Sequence, residues 1–170
     1  MNNIPKSYYQ IDEKRFKEKQ GLFYDDFEID DIIEHYPGRT LTQFDNIFQT
    51  LISLNTHPLH FDSEFAKKTE FEKPLINSAI TFSIVNGMTV KSLSANAICN
   101  LGWDKVKLVN PVFCGDTLYA ESKIISKRLS KSRKNAGIVT VETKGLNQNK
   151  SIVITFNRTF MVKICDDNLY

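Results

Sequence analysis

Residues 54–62 read Leu-Asn-Thr-His-Pro-Leu-His-Phe-Asp, setting two of the chain's three histidines around a proline, with an asparagine and an aspartate close by. Imidazole exchanges protons near neutral pH, so a histidine held by a proline turn among short polar groups is a candidate for acid–base chemistry. Asn, His and Pro are also ordinary loop punctuation, which is the competing account of the run. His60 is the candidate acid/base. Asn55, five residues earlier, carries an amide that cannot act as a general base but can hold a water by hydrogen bonds. A left-handed helix C-cap is the other reading of Asn55, and the two roles are compatible. Asp62 precedes Ser-Glu-Phe-Ala and reads first as a helix N-cap. Asp45 is a further carboxylate, ten residues before Asn55.

The surrounding elements must position this run. Thr42 followed by Asp45 has the spacing of a capping box, and Phe44, Ile47, Phe48, Leu51 and Leu54 follow at helical spacing, so a helix should deliver the chain to the motif. Asp62–Glu70 suits a short helix that Pro74 ends. Asn77 and Ser78 are N-cap candidates for Ala79–Val90, whose Ile80, Phe82, Ile84, Val85 and Met88 leave little polar face and predict a buried central helix. Strands are expected at Ala97–Leu108, Thr117–Ser126, Ile138–Gly145 and Ser151–Ile164. Upstream, Phe23–Ile33 alternates apolar and acidic residues as an edge strand would, Pro37-Gly38 marks a turn, and residues 1–20 read as a polar, flexible or weakly helical lead-in. The expected organisation is α+β: lead-in 1–20, one domain over 21–165, and a tail 166–170.

Composition narrows the function. Lys plus Arg number 22 against 20 Asp plus Glu in 170 residues, a balance that gives no general pull toward nucleic acid or a membrane surface. No apolar run is long enough for a membrane span, and the N-terminus lacks a signal-peptide core, so a cytoplasmic setting is expected. Cys99, Cys114 and Cys165 lack metal-like spacing and read as free buried thiols; no metal site is expected. The basic run Lys123–Lys134 reads as a solvated hairpin or as a contact for phosphates, with Arg128 and Arg133 as the candidate residues.

Pro58-Leu59-His60 resembles the proline, aliphatic and histidine positions of the hydratase signature of the MaoC-like (R)-specific enoyl-CoA hydratase/dehydratase family, with His57 in place of its asparagine and Asn55 in place of its catalytic aspartate. Gly38-Arg39-Thr40, Asn77-Ser78, Asn100-Leu101-Gly102-Trp103, the run from Val112 to Ser122 and Gly145-Leu146-Asn147-Gln148 extend the resemblance over roughly residues 22–163. Together they resemble a subgroup associated with short branched C4–C5 acyl-CoA thioesters such as mesaconyl-CoA and methylmalyl-CoA. The resemblance implies a hotdog fold, an antiparallel sheet wrapped around a long helix, and hydration or dehydration of an enoyl-CoA thioester without metal or redox cofactor.

On that reading His60 moves the protons and Asn55 orients the water. Backbone N–H groups at Asn77, Ser78 and Ala79 stabilise the enolate oxygen, as the free donors at a helix start are suited to do. His57 and Asp62 become candidate contacts to a substrate, His57 to the carboxyl of a dicarboxylic one. Arg128 or Arg133 would meet the phosphates of coenzyme A. Related thioesterases and carrier-protein dehydratases place an Asp or Glu on the central helix, and Ala79–Val90 contains neither. A non-catalytic acyl-CoA-binding or assembly subunit and a thioesterase are the alternatives. Pairing of exposed sheet edges predicts a homodimer or larger homo-oligomer, with sites that cross the interface.

Overall fold

The computed structural model describes residues 8–165; the tail expected at 166–170 and the first seven residues of the lead-in lie outside them. The chain starts with β1 (Tyr8–Gln10) and β2 (Phe16–Glu18), an antiparallel hairpin whose turn is held by Lys14 and Arg15 N–H groups donating to Asp12 Oδ1. This replaces the flexible or helical lead-in, because Asp12 supplies turn chemistry that a charge count does not register. The edge strand expected over Phe23–Ile33 is also revised. Tyr24–Asp26 forms a 3₁₀ turn capped by Asp26, which accepts from Phe23 N–H at 2.8 Å, and Phe23 and Phe27 are buried four residues apart. The strand begins only at Ile32: β3 is Ile32–Thr40. Pro37-Gly38 sits inside β3 at a register shift between His35 and Arg39 rather than in a connecting turn.

The helices follow the capping signals. Helix α1 (Gln43–Ile52) opens with Thr42 and Asp45 capping each other reciprocally. The motif passes through a 3₁₀ turn at Pro58–His60 into the short α2 (Ser63–Ala66), capped by Asp62. Helix α3 (Ser78–Thr89) is capped by Asn77 and runs on into a wider π-type turn at Val90–Ser94. Then come β4 (Ala97–Leu108), β5 (Thr117–Leu129), β6 (Ala136–Leu146) and β7 (Ile152–Lys163). The five long strands are antiparallel in the order β3-β5-β6-β7-β4, so β4 forms one edge. Helix α3 lies across this sheet, with Ile80, Ile84 and Val85 packed on Leu118, Ala120, Ile154 and Phe156. Gly145 permits that approach, since a Cβ there would fall 2.7 Å from both Val85 and Ile154. A second cluster around Phe27, Leu93, Ile124 and Phe160 closes the far end.

Helix α1 is turned inside out. Its polar residues Asp45, Asn46 and Thr50 are buried, while Phe44, Phe48, Leu51 and Ile52 are exposed, Phe44 stacked on Phe48 at 5.4 Å. Packing follows the hydrogen-bonding demands of the motif here rather than the apolar stripe. The three cysteines are exposed, not buried as expected, Cys99 because it points outward from the edge strand β4. No helix among the described residues is long and apolar enough to cross a membrane.

The third histidine, His35, is 5% exposed; its Nδ1 lies 2.7 Å from Ser92 Oγ and its Nε2 2.8 Å from Ser122 Oγ. Burial pushes its pKa down from 6.5 to about 4. The unfolded chain then takes up this proton at higher pH than the folded one, so its contribution is complete above pH 6.5 and declines as pH falls toward 4, by about 3 kcal/mol over that window. Urea unfolding at pH 7 and pH 4.5 tests this. The native protein should lose about 2 kcal/mol more than His35→Gln, and equal losses would contradict the assignment.

Candidate active site

Asn46 organises the motif. From the first turn of α1 its Nδ2 donates to the carbonyls of His60 (2.6 Å) and Leu75 (3.0 Å), while its Oδ1 accepts from Asn77 N–H at 3.0 Å. One carboxamide, 2% exposed, thus joins the histidine turn, the extended segment before α3 and the start of α3. Thr50, one turn later, accepts from Asn77 Nδ2 at 3.3 Å. Sequence periodicity assigned only the apolar residues of α1 and missed both. The available signal was an asparagine and a threonine inside a helix, where each is a poor helix former and needs another reason to be present.

His60 is half-buried, and its Nδ1 lies 2.8 Å from the Leu75 carbonyl oxygen. A carbonyl can only accept, so Nδ1 carries the hydrogen, and in the neutral ring the lone pair is on Nε2. The ring is therefore oriented by Nδ1, and Nε2 has no partner among the described residues. His57 is differently engaged: exposed, it accepts from Leu59 N–H at 3.2 Å through Nδ1 and so caps the 3₁₀ turn, its ring centre 6.0 Å from that of His60.

Asn55 N–H donates to Thr50 O (3.1 Å), and Asn55 Oδ1 accepts from His57 N–H (3.0 Å). The left-handed residue ending α1 is Leu54, with φ +58°, so the left-handed cap expected for Asn55 falls one residue earlier. The two N–H groups of the Asn55 amide donate to no described residue, which leaves it a donor able to hold a water through its oxygen.

Neither candidate carboxylate is placed as a base. Asp62 is exposed, and its Oδ1 accepts from Glu64 and Phe65 N–H at 2.9 and 3.0 Å, the N-cap role. Asp45 pairs with Arg39 and accepts from Thr42 N–H and Oγ1 at 2.9 and 2.7 Å. Burial opposes its ionisation, but the Thr42 hydrogen bonds and the Arg39 charge outweigh that and hold its pKa below the ordinary carboxylate value.

The start of α3 narrows the expected donors to one. Asn77 N–H goes to Asn46, Ala79 N–H to Asn77 Oδ1 at 2.9 Å, and Ile80 N–H to Asn77 O at 3.0 Å. Ser78 N–H has no acceptor among the described residues and is exposed at the positive end of the helix dipole. The N–H groups of Asn77 and Ala79, offered as donors from the sequence, are spent on Asn46 and on the helix cap. Arg128 and Arg133 are not brought to this site within one chain. They lie at the β5–β6 hairpin tip, and Arg128 stands eleven residues along β5 from Thr117, roughly 35 Å at strand rise.

A sequence profile described as mesaconyl-CoA hydratase matches residues 4–167. The chain is 33% identical over 147 residues to mesaconyl-CoA hydratase from Cereibacter sphaeroides, covering 86% of this chain and 43% of that protein. It is 36% identical over 152 residues to β-methylmalyl-CoA dehydratase from Chloroflexus aurantiacus, covering 89% and 43%. Among solved structures, a MaoC domain protein from Chloroflexus aurantiacus superposes with TM-score 0.81 at 35% identity over 88% of this chain and 42% of that one. A double-hotdog protein from Mycobacterium tuberculosis superposes with TM-score 0.77 at 20% identity over 86% and 46%, a likeness of fold. The chain spans about two fifths of the length of the curated relatives it matches. Fold, motif and sequence agree that this chain is a hotdog protein belonging to the mesaconyl-CoA hydratase family.

Proposed function

We propose that the chain adds water to, or removes it from, a short branched enoyl-CoA thioester of the mesaconyl-CoA class. The observation that carries this reading is the fixed His60 tautomer, with Nε2 uncommitted, held by the same carboxamide that ties down the α3 start where Ser78 N–H is unspent. In the hydration direction His60 Nε2 takes a proton from water while the oxygen attacks the β-carbon. Charge moves onto the thioester oxygen, which Ser78 N–H and the helix dipole stabilise. The imidazolium then returns the proton to the α-carbon, so one water is added and the base is regenerated. Asn55 holds the water rather than deprotonating it, which leaves both transfers to His60. The scheme needs only water addition and proton transfer and calls on no metal or redox group.

Pairing completes the proposal. Strand β4 hydrogen-bonds to β7 on one side and to no described strand on the other, and it exposes Leu101, Trp103, Val106 and Leu108. A second copy adding along this edge would cover those side chains and satisfy the open backbone groups. The relatives' names, mesaconyl-CoA hydratase and β-methylmalyl-CoA dehydratase, support the substrate class. A non-catalytic acyl-CoA-binding subunit is the second reading, favoured by an amide at Asn55 where a carboxylate would share the base role.

Purified protein incubated with crotonyl-, mesaconyl- and itaconyl-CoA should consume the enoyl thioester with no release of free thiol. Thiol release would identify a thioesterase, and no turnover with retained CoA binding would leave the binding subunit. His60→Ala should lower turnover by a factor of about 10³ or more, and an unchanged rate would remove His60 from the mechanism. Asn55→Asp should raise activity on crotonyl-CoA, since it adds a second base; a fall would mean that the amide donor is required. Sedimentation at micromolar concentration should give a dimer, and a 19.5 kDa monomer would contradict the paired edge.

A further inference from the structure

Arg158 carries a charge that no described residue neutralises. It lies on β7, on the face turned to α3, is 7% exposed, and makes no ion pair among the described residues. Burying an unpaired guanidinium is costly, and the group stays charged at any ordinary pH. Burial alone lowers its pKa, with no acidic neighbour opposing. Three neutral oxygens fix it: Nε donates to Asn100 Oδ1 at 2.7 Å, and Nη1 donates to Thr89 Oγ1 at 3.0 Å and Ser94 Oγ at 3.1 Å. Its central carbon lies 5.2 Å from the Phe160 ring centre.

Nη2 donates to none of the described residues. Every solvent-excluded side-chain nitrogen and oxygen there has a partner, so Nη2 must reach the surface. Nε and both hydrogens of Nη1 are therefore committed, and the two N–H groups of Nη2 remain to meet an acceptor such as a carboxylate. A position near the C-terminal end of α3 would favour any cation, but the hydrogen bonds go to hydroxyls and an amide rather than to the helix carbonyls. Beside it, Trp103 stands opposite Arg158 in the β4–β7 register. Its ring lies edge-on to Phe82 at 5.6 Å, and its Nε1 donates to Asn86 Oδ1 at 3.0 Å. The neighbourhood is one cation next to an apolar aromatic wall, which suits a branched acyl group ending in a carboxylate.

Arg158 is bound to Thr89, the last residue of α3, whereas His60 is bound to Leu75, before its first. The twelve residues of α3 span about 18 Å, much longer than a C5 acyl group. Two copies paired along β4 about a two-fold axis at that edge set their α3 helices antiparallel on one face of a continuous sheet, the end of one toward the start of the other. We infer that Arg158 binds the distal carboxylate of a dicarboxylic acyl thioester whose reacting carbons lie at the His60 of a second copy. The inference rests on the hydratase reading above.

The test compares kcat/KM for mesaconyl-CoA, which has a distal carboxylate, with crotonyl-CoA, which has none. Arg158→Met should lower the mesaconyl-to-crotonyl ratio at least about 30-fold, and Arg158→Lys, which keeps the charge but loses the three bonds that orient it, should lower it less. His60→Ala and Arg158→Met proteins, dissociated, mixed in equal amounts and reassociated, should regain activity on mesaconyl-CoA. Half the dimers would be mixed and each would carry one intact site of two, about a quarter of the native level. An unchanged ratio in both Arg158 variants overturns the carboxylate role, including the case where both substrates lose rate together with thermal stability. A lowered ratio with no recovery on mixing overturns action across copies. If the native protein turns over neither thioester, the hydratase reading fails. Calorimetric affinities for the two thioesters then decide the Arg158 assignment: an Arg158-dependent preference for mesaconyl-CoA supports it, and no preference overturns it.

Discussion

The site depends on the side chain of Asn46. A carboxamide is the one neutral side-chain group that offers two donors and an acceptor in a rigid plane, and Asn46 uses them on the carbonyls of His60 and Leu75 and on the N–H of Asn77. Those backbone groups belong to segments that helix and sheet ladders do not reach, and leaving them buried without partners would cost about 1–3 kcal/mol each. The inside-out packing of α1 follows from this. The helix must present Asn46 and Thr50 inward, so its apolar residues Phe44, Phe48, Leu51 and Ile52 face outward, where a further surface can cover them.

The three histidines show how partners rather than residue type assign chemistry. His35 is enclosed by two serine hydroxyls, and burial suppresses its protonation. His57 spends its Nδ1 lone pair on a backbone N–H of the turn it starts. His60 gives its Nδ1 hydrogen to a carbonyl and has Nε2 left over. Asn46 and His60 meet at the Leu75 carbonyl, which accepts from both, so imidazole orientation and helix position are set by one short segment. The free Ser78 N–H is what remains at the α3 start after capping has used its neighbours.

Much of this was legible in the sequence where local chemistry decides. Thr42 with Asp45, Asp62 and Asn77 are caps because short polar side chains reach their own backbone, and the four strands after residue 95 follow apolar alternation bounded by turn residues. The family motif singled out His60 and Asn55. What stayed hidden depends on distant partners. Asn46 acts on residues 14, 29 and 31 positions away, and Arg158 on residues 58, 64 and 69 away, so no window of sequence contains either arrangement. The strand misread over Phe23–Ile33 is a case of two competing periods, where burial of Phe23 and Phe27 and the Asp26 cap prevailed over alternation.

One buried carboxamide, that of Asn46, holds both the His60 turn and the start of α3 in place. The most direct measurement is Asn46→Ala, followed for its unfolding free energy and its rate of enoyl-CoA hydration. The His60 carbonyl and the Asn77 N–H lose their partner in that variant and the Leu75 carbonyl keeps only His60, so stability should fall by about 2–4 kcal/mol, with turnover reduced by about 100-fold at temperatures where the variant stays folded. A variant within about 0.5 kcal/mol of the native protein and within about twofold of its rate would contradict it.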